Sequence, residues 1–97
     1  MSIIAILDVP VQPGRRADAL AALLPALGDS RAFDGNQGID ILLDDNDENH
    51  FLILERWRSA EDQAAYQAWR ATPEGLIAGF GEALAGPPST KVYSIGG

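Results

Sequence analysis

Residues 51–69 read FLILERWRSAEDQAAYQAW, and this stretch begins as a strand and ends as a helix. The apolar run predicts a strand over Phe51–Arg58, and Ser59 then offers a helix N-cap with Asp62 in the capping-box position three residues later. The charged doublet Glu55-Arg56 lies inside that apolar run. We expect such a strand either to face a cavity with a polar mouth or to meet another subunit with one of its faces.

Working outward, three further segments have strand character, because each is short, rich in β-branched or large apolar residues and bounded by turn residues. They are Ser2–Val9, Ile39–Asp45 and Thr90–Ile95. The run DDNDENH between two of them predicts a hairpin turn. Counted from Asp44, this run only faintly resembles a calcium-binding loop, because its sixth position is Asn49 rather than glycine. We therefore favour a solvated turn.

Helical periodicity fills the remaining segments. Leucines at positions 20, 23, 24 and 27 form one apolar stripe, which Pro25 should kink or tighten. The segment Asp29–Gly38 is predicted to be a loop. A second helix follows Ser59, and the Thr72-Pro73 pair predicts a third helix. The apolar face of that third helix would consist of Leu76, Ile77, Phe80 and Leu84.

The predicted order is βαββαβ, which indicates an α+β, ferredoxin-like fold with a four-stranded antiparallel sheet and a single domain over residues 1–97. The strands are apolar on both sides, as in the run Ile3–Leu7. Helices on one face of a sheet can bury only that face. We therefore expect a homodimer in which two copies pack through their sheet faces.

Composition excludes several classes of function. Seven basic and fourteen acidic residues give a formal charge of −7, which disfavours nucleic acid as a partner. The chain has no apolar run near the roughly 18 residues needed to span a membrane, and no basic region precedes its first apolar stretch. We expect a cytoplasmic protein without a membrane partner. The chain has no cysteine and its one histidine, His50, lacks partners at ligand spacing, so we expect no metal site.

The central part of the chain, Arg31 to Trp69, resembles the antibiotic biosynthesis monooxygenase (ABM) domain family. That family shows an Arg-x-x-x-Gly-x-x-Gly loop leading into a strand, then a strand ending in Glu-x-Trp-x-Ser-x-Glu and a helix. The matching positions here are Arg31, Gly35, Gly38, Glu55, Trp57, Ser59 and Glu61. The resemblance implies a dimeric α+β barrel built from two ferredoxin-like sheets.

The resemblance also implies an activity. Some members oxygenate polycyclic aromatic phenols or quinols with dioxygen and use no metal or flavin, whereas others degrade haem. Many members carry a histidine near the position of Tyr66, and haem-degrading members carry an axial histidine in the region of Leu76 and Ile77. This chain has neither histidine, so haem degradation is not carried over and no cofactor is expected.

Two hypotheses about function follow: a cofactor-independent monooxygenase acting on an aromatic phenol or quinol, or a non-catalytic dimeric module that binds a small molecule. As an enzyme, the chain would use Trp57 and Tyr66 as catalytic donors. Trp69, Phe80 and Arg56 would bind the substrate. Each aromatic residue could instead belong to the core, and Glu55 and Arg56, on opposite faces of one strand, could each pair across strands or across the dimer interface.

Overall fold

The computed structural model describes residues 2–97 and contains one four-stranded antiparallel sheet. Its strands are β1 (Ile3–Pro10), β2 (Asn36–Leu43), β3 (His50–Trp57) and β4 (Ser89–Ser94). The strand order β2-β3-β1-β4 places β1 and β3 in the middle of the sheet. The predicted α+β, ferredoxin-like arrangement is therefore confirmed, with strand boundaries displaced by one to three residues.

The first helical segment is interrupted at the position of its proline. Helix α1 (Arg16–Leu23) continues into a 3-10 turn over Leu24–Ala26 and then into α2 (Leu27–Ala32). Because Pro25 has no backbone N–H to donate, the tighter turn at this point is the predicted outcome. The predicted loop over Asp29–Gly38 is wrong at both ends, since α2 ends at Ala32 and β2 begins at Asn36.

Helix α3 (Ala60–Arg70) begins where the capping signal predicted. The Ser59 hydroxyl oxygen accepts the backbone N–H of Asp62 at 3.2 Å. Such a bond satisfies one of the donors that a helix leaves unpaired in its first turn. Within residues 2–97, no helix has the length and apolar character needed to cross a membrane.

The predicted third helix is wrong. Residues 71–80 form turns, and only a 3-10 turn over Gly81–Ala83 follows. Thr72 does not begin a new helix but donates its hydroxyl to the carbonyl of Trp69 at 2.6 Å, at the end of α3. Gly75 lies so close to that end that an added Cβ would meet the backbone of Trp69, and Gly79 has a left-handed φ of 81°. Both positions favour a tight reversal over helix propagation.

The two faces of the sheet differ in burial. Along β3, the four side chains directed towards the helices are at most 5% exposed, namely Phe51, Ile53, Glu55 and Trp57. The apolar side chains on the opposite, outer face are only partly covered, and Leu42 and Tyr93 are 41% and 49% exposed. The chain's own helices therefore cover one face of a sheet that is apolar on both.

The interior consists of two apolar clusters under the helical layer. The larger lies beneath α1 and α2 and includes Val9, Leu23 and Phe51. The smaller contains Ile3, Ala5, Trp57 and Tyr66, with Tyr66 contributed by α3. Leu7 packs against both clusters, and the gap that remains beside it is the candidate site.

Candidate functional site

A cavity of about 150 Å³ lies between the sheet and α3. The sheet contributes its floor, α3 one wall, and the turn segment after α3 a further side chain. Its lining residues are Leu7, Ile53, Glu55, Gln63, Tyr66, Gln67, Arg70 and Phe80. Gln67 is exposed, so the cavity reaches the protein surface along α3. A cavity of this size holds roughly one benzene-sized ring.

The polar side of the wall comes from one stripe of α3. Gln63, Tyr66, Gln67 and Arg70 are spaced i, i+3, i+4 and i+7, which places them on a single face of a helix. Gln63 donates to Gln67 at 2.7 Å, so the two amides orient each other. Apolar side chains of the sheet face this stripe. A bound molecule would therefore meet polar atoms on the α3 side and, apart from Glu55 of β3, hydrocarbon elsewhere.

Glu55 is the buried acidic group of the cavity, with 3% of its surface exposed. One carboxylate oxygen accepts the indole N–H of Trp57 at 3.0 Å. Burial raises the pKa of Glu55, while the Trp57 hydrogen bond and the positive charge of Arg70 act in the opposite direction. The net direction is upward, so the carboxyl group is a stronger base than one exposed to water.

Tyr66, Ser30 and Arg70 form a hydrogen-bonded triangle beside the cavity. The Tyr66 and Ser30 hydroxyls are 2.7 Å apart, and Arg70 donates to Tyr66 at 2.8 Å and to Ser30 at 2.7 Å. Ser30 is completely buried and does not line the cavity. When Ser30 donates to Tyr66, the Tyr66 hydroxyl has two incoming bonds and its own hydrogen stays free for a ligand.

Arg70 also ties together three segments of the backbone. It donates to the carbonyls of Ala26 and Gly75, at 3.0 and 3.1 Å, in addition to the two hydroxyls. Its guanidinium lies over the ring of Trp69, 4.7 Å from the centroid. No carboxylate of residues 2–97 forms a salt bridge with Arg70, so its positive charge is not neutralised by direct contact. The charge therefore contributes to the potential inside the cavity.

The predicted site residues separate into three groups. Tyr66 and Phe80 line the cavity. Trp57 and Trp69 do not, but they support it, since the ring centroid of Trp57 is 4.9 Å from that of Tyr66, and Trp69 stacks under Arg70. Arg56 is exposed on the outer face, because side chains alternate along β3 and Glu55 takes the inward position. The structure does not bring Arg56 to the cavity.

Sequence reasoning assigned no binding role to Glu55, Gln63, Gln67 or Arg70. Glu55 was expected to pair across strands or between subunits. Within residues 2–97 it forms no ion pair, and its partner is the indole of Trp57, two residues along the same strand. The helical spacing of the α3 stripe is a usable signal for the other three residues, because it places them on the same helix face as Tyr66.

His50 begins β3, points to the sheet face opposite this cavity and joins two elements. Its ring nitrogens bond to Asp8 at 2.9 Å and to Asp44 at 2.7 Å. The two carboxylates thus lie at different nitrogens of one ring and do not converge. Asp44 and Asp47 also accept backbone N–H groups two residues ahead, as expected for a tight polar turn. Among residues 2–97 there is no grouping of three or more acidic, histidine or cysteine side chains suited to a metal ion.

Comparison with known proteins agrees with this architecture. The family model described as antibiotic biosynthesis monooxygenase matches residues 2–76. No curated protein sequence matches the chain significantly. The predicted family resemblance is confirmed by the family match.

Solved structures show the same fold over nearly the whole chain. A Mycobacterium tuberculosis protein is 25% identical, with a TM-score of 0.74 and coverage of 98% of this chain and 95% of that one. A Bordetella bronchiseptica protein, provisionally named an antibiotic biosynthesis monooxygenase, is 24% identical with a TM-score of 0.76 and coverage of 97% and 96%. A Nitrosomonas europaea protein with the same provisional name is 21% identical with a TM-score of 0.78, covering 95% and 96%.

Proposed function

Because the chain belongs to the antibiotic biosynthesis monooxygenase family, we propose that its cavity binds a small aromatic phenol or quinol and that the protein oxygenates it with dioxygen, without metal or flavin. The observation that carries this proposal is the composition of the cavity wall. A mainly apolar pocket of one-ring size contains one buried carboxylate, Glu55, and one tyrosine hydroxyl, Tyr66.

The chemistry requires little from the protein beyond binding and electrostatics. A deprotonated phenol is electron-rich and can reduce dioxygen itself. For an anthrone-type substrate, a ring CH₂ becomes a carbonyl, one oxygen atom enters the product, and the other leaves as water with the two displaced hydrogens. The substrate supplies all four electrons. An apolar pocket that excludes water and holds the ring near donors favours this sequence.

We assign the roles of the residues from their contacts. Tyr66 donates to the substrate oxygen, with Ser30 and Arg70 holding its hydroxyl in place. Trp57 acts through Glu55, because its indole N–H is already bonded to that carboxylate. Phe80 packs against the substrate ring, and Trp69 supports Arg70. A second aromatic ring of a polycyclic substrate would extend through the opening beside Gln67.

The homodimer belongs to the same proposal. A second copy would cover the outer face of the sheet, where partly exposed apolar side chains come from all four strands. They are Ile4, Ile6, Leu42, Leu52, Leu54 and Tyr93. The net charge of −7 disfavours nucleic acid as a partner. The cytoplasmic location and the single domain over residues 1–97 remain predictions.

The test is oxygen consumption by metal-free, flavin-free protein with a panel of anthrone- and naphthol-type compounds. We expect turnover in the wild type and a loss of roughly tenfold or more in Tyr66→Phe, because one donor to the developing oxyanion is removed. Tyr93→Phe is the matched control, since it removes the same atom from a tyrosine on the outer face. Equal rates for both variants, or no turnover of any compound, would contradict the catalytic proposal.

A non-catalytic binding module is the second candidate, and one observation favours it. The indole N–H of Trp57, a predicted catalytic donor, is already bonded inside the protein and is not free for a substrate. Native mass spectrometry of protein purified from its own host distinguishes the two. An aromatic ligand retained unchanged in the presence of oxygen supports binding alone, whereas an oxygenated product supports the enzyme.

A further inference from the structure

Glu55 combines three features that no structural role for it explains. It is almost completely buried, it lines a cavity, and only one of its carboxylate oxygens has a hydrogen-bond partner among residues 2–97. This second oxygen is not sealed from its surroundings, because the one fully enclosed side-chain nitrogen or oxygen without a partner among residues 2–97 is Asn36 Nδ2. It therefore remains accessible from the cavity that Glu55 lines. Such an arrangement is expected where a ligand supplies the missing donor.

We propose that Glu55 is the proton acceptor of the site: its free oxygen, Oε2, receives the hydroxyl proton of the bound phenol. This inference rests on the proposed binding of a phenol or quinol, and it adds the group that generates the electron-rich form. In the step, the ligand O–H bond breaks, a bond between that hydrogen and Oε2 forms, and the electron pair stays on the ligand oxygen. No oxidant takes part in this step.

The backbone positions Glu55 for this role. In the sheet, Glu55 lies opposite Ala5 of β1 and Ile39 of β2. Ala5 is completely buried in the cluster that contains Trp57 and Tyr66. The Trp57 indole holds Oε1 and thereby fixes the orientation of the carboxyl group. The second oxygen is then available on the cavity side.

The charges around Glu55 favour the transfer. Burial strengthens the carboxylate as a base by raising its pKa. The other titratable or charged groups facing the cavity are Arg70 and Tyr66, both from α3, while β1, β3 and the segment after α3 contribute the apolar Leu7, Ile53 and Phe80. Proton transfer moves one negative charge from Glu55 to the ligand oxygen. The total charge of the cavity does not change, and Arg70 stabilises the anion before and after the step.

Binding measured with two probes tests the proposal without requiring turnover. The probes are 1-naphthol and 1-fluoronaphthalene, which are similar in size, but only the first has a proton to give. We expect the wild type to bind 1-naphthol at least roughly tenfold more tightly, because a hydrogen bond to a charged group is formed only by that probe. The part of the preference that depends on the charged carboxylate should be lost as pH falls and Glu55 becomes protonated.

The matched variants are Glu55→Gln, Glu55→Asp and Glu48→Gln. A glutamine whose oxygen takes the Trp57 bond presents an N–H donor in place of the anionic acceptor, so Glu55→Gln should lose the part of the naphthol preference that depends on pH. Glu55→Asp keeps a carboxylate and should regain part of it. Glu48→Gln, at an exposed position in the β2–β3 turn, should behave as wild type. Circular dichroism and thermal melting check that each variant is folded.

The outcomes separate this inference from the proposed function. A naphthol preference that depends on Glu55, with the absorption of the bound probe shifted to that of naphtholate and without any oxygen consumption, supports proton acceptance and contradicts the oxygenase. A preference without that shift shows hydrogen bonding alone and overturns the proton transfer. Turnover that survives Glu55→Gln at the wild-type rate and pH profile supports the oxygenase and overturns the inference. Equal binding of both probes to the wild type also overturns it. If Glu55→Gln does not fold, the inference is tested instead by probe binding to Glu55→Asp and by the pH dependence of probe binding to the wild type.

Discussion

At the end of β3, two side chains on the same face of the sheet determine the character of the cavity. Glu55 provides the buried negative charge, and the indole of Trp57 orients it from two residues away. On the facing helix, Tyr66 is held by Ser30 and Arg70 in the same way. Glu55 and Tyr66 are therefore each bonded to a residue that does not line the cavity, Trp57 and Ser30 respectively, which reduces their freedom before a ligand binds.

Another residue-scale contact predicts a pH dependence of stability. Asp44 and Asp8 raise the pKa of His50 above its ordinary value of 6.5, and His50 lowers that of Asp44 below its ordinary value of 3.8. The contribution of His50 to the free energy of unfolding is complete below pH 6.5. It is lost as pH rises through the higher pKa that His50 has in the folded state. The contribution of Asp44 is complete above pH 3.8 and is lost as pH falls through the lower folded value. Together they stabilise most between these limits.

For His50→Gln we therefore expect a melting temperature below that of the wild type, by a difference that is larger near about pH 5.5 than near about pH 8.5. Thermal unfolding followed by circular dichroism at the two pH values measures it. Asp18→Asn, which changes an exposed carboxylate paired with Arg15, controls for general charge effects. A difference that is the same at both pH values would show that the charged form of His50 adds nothing.

At the scale of elements, the segment after α3 shows how a tertiary contact overrides a local signal. Thr72-Pro73 and the apolar spacing of residues 76–84 predict a helix, but residues 71–80 form turns. Instead, Arg70 at the end of α3 donates to the carbonyl of Gly75, and Thr72 donates to the carbonyl of Trp69. These two bonds hold the segment against the end of α3. This reversal brings Phe80 into the cavity wall.

Two glycine substitutions provide an opposed pair of predictions at this scale. Gly75→Ala places a methyl group against the Trp69 carbonyl and within 2.7 Å of the Arg70 Cα, so it should destabilise the protein by more than about 1 kcal/mol. Gly28→Ala lies in α2 with open space around the new Cβ and should stabilise by roughly 0.5 kcal/mol. Urea denaturation measures both. Equal effects of the two substitutions would argue against a close backbone approach at Gly75.

At the scale of the whole molecule, the outer face of the sheet is the apolar surface that a single chain leaves uncovered. Its apolar side chains are partly exposed even on the central strands β1 and β3, whereas the inward-facing side chains of β3 are buried. A contiguous exposed apolar surface favours association. The proposed packing of a second copy on this face would bury it and would leave both cavities on the helical sides.

We predict that Leu54→Asp raises the dissociation constant of the proposed dimer by at least roughly 100-fold, because each copy would place one negative charge in the apolar interface. Leu76→Asp is the matched control, since Leu76 is 74% exposed and lies outside the sheet. Sedimentation equilibrium at micromolar concentration measures the monomer fraction of each protein. A monomeric wild type under these conditions, or equal dissociation of both variants, would contradict packing through the sheet face.

The sequence alone determined those features that depend on local periodicity and on chain chemistry. They include the order of strands along the chain, the proline-tightened helix, the Ser59 cap and the strands that are apolar on both sides, because each is encoded within a few neighbouring residues. The family resemblance likewise followed from a contiguous stretch. Even Trp57 and Glu55 could be placed on one face of β3 by alternation alone.

Only the tertiary structure decided what forms the cavity and which groups in it are free. Leu7, Glu55, Tyr66 and Phe80 are distant in sequence and meet only because β1 pairs with β3, α3 packs above them, and the chain reverses after Arg70. Whether a polar atom is available to a ligand depends on which other atoms surround it. That is a property of packing and burial, which a linear pattern does not contain.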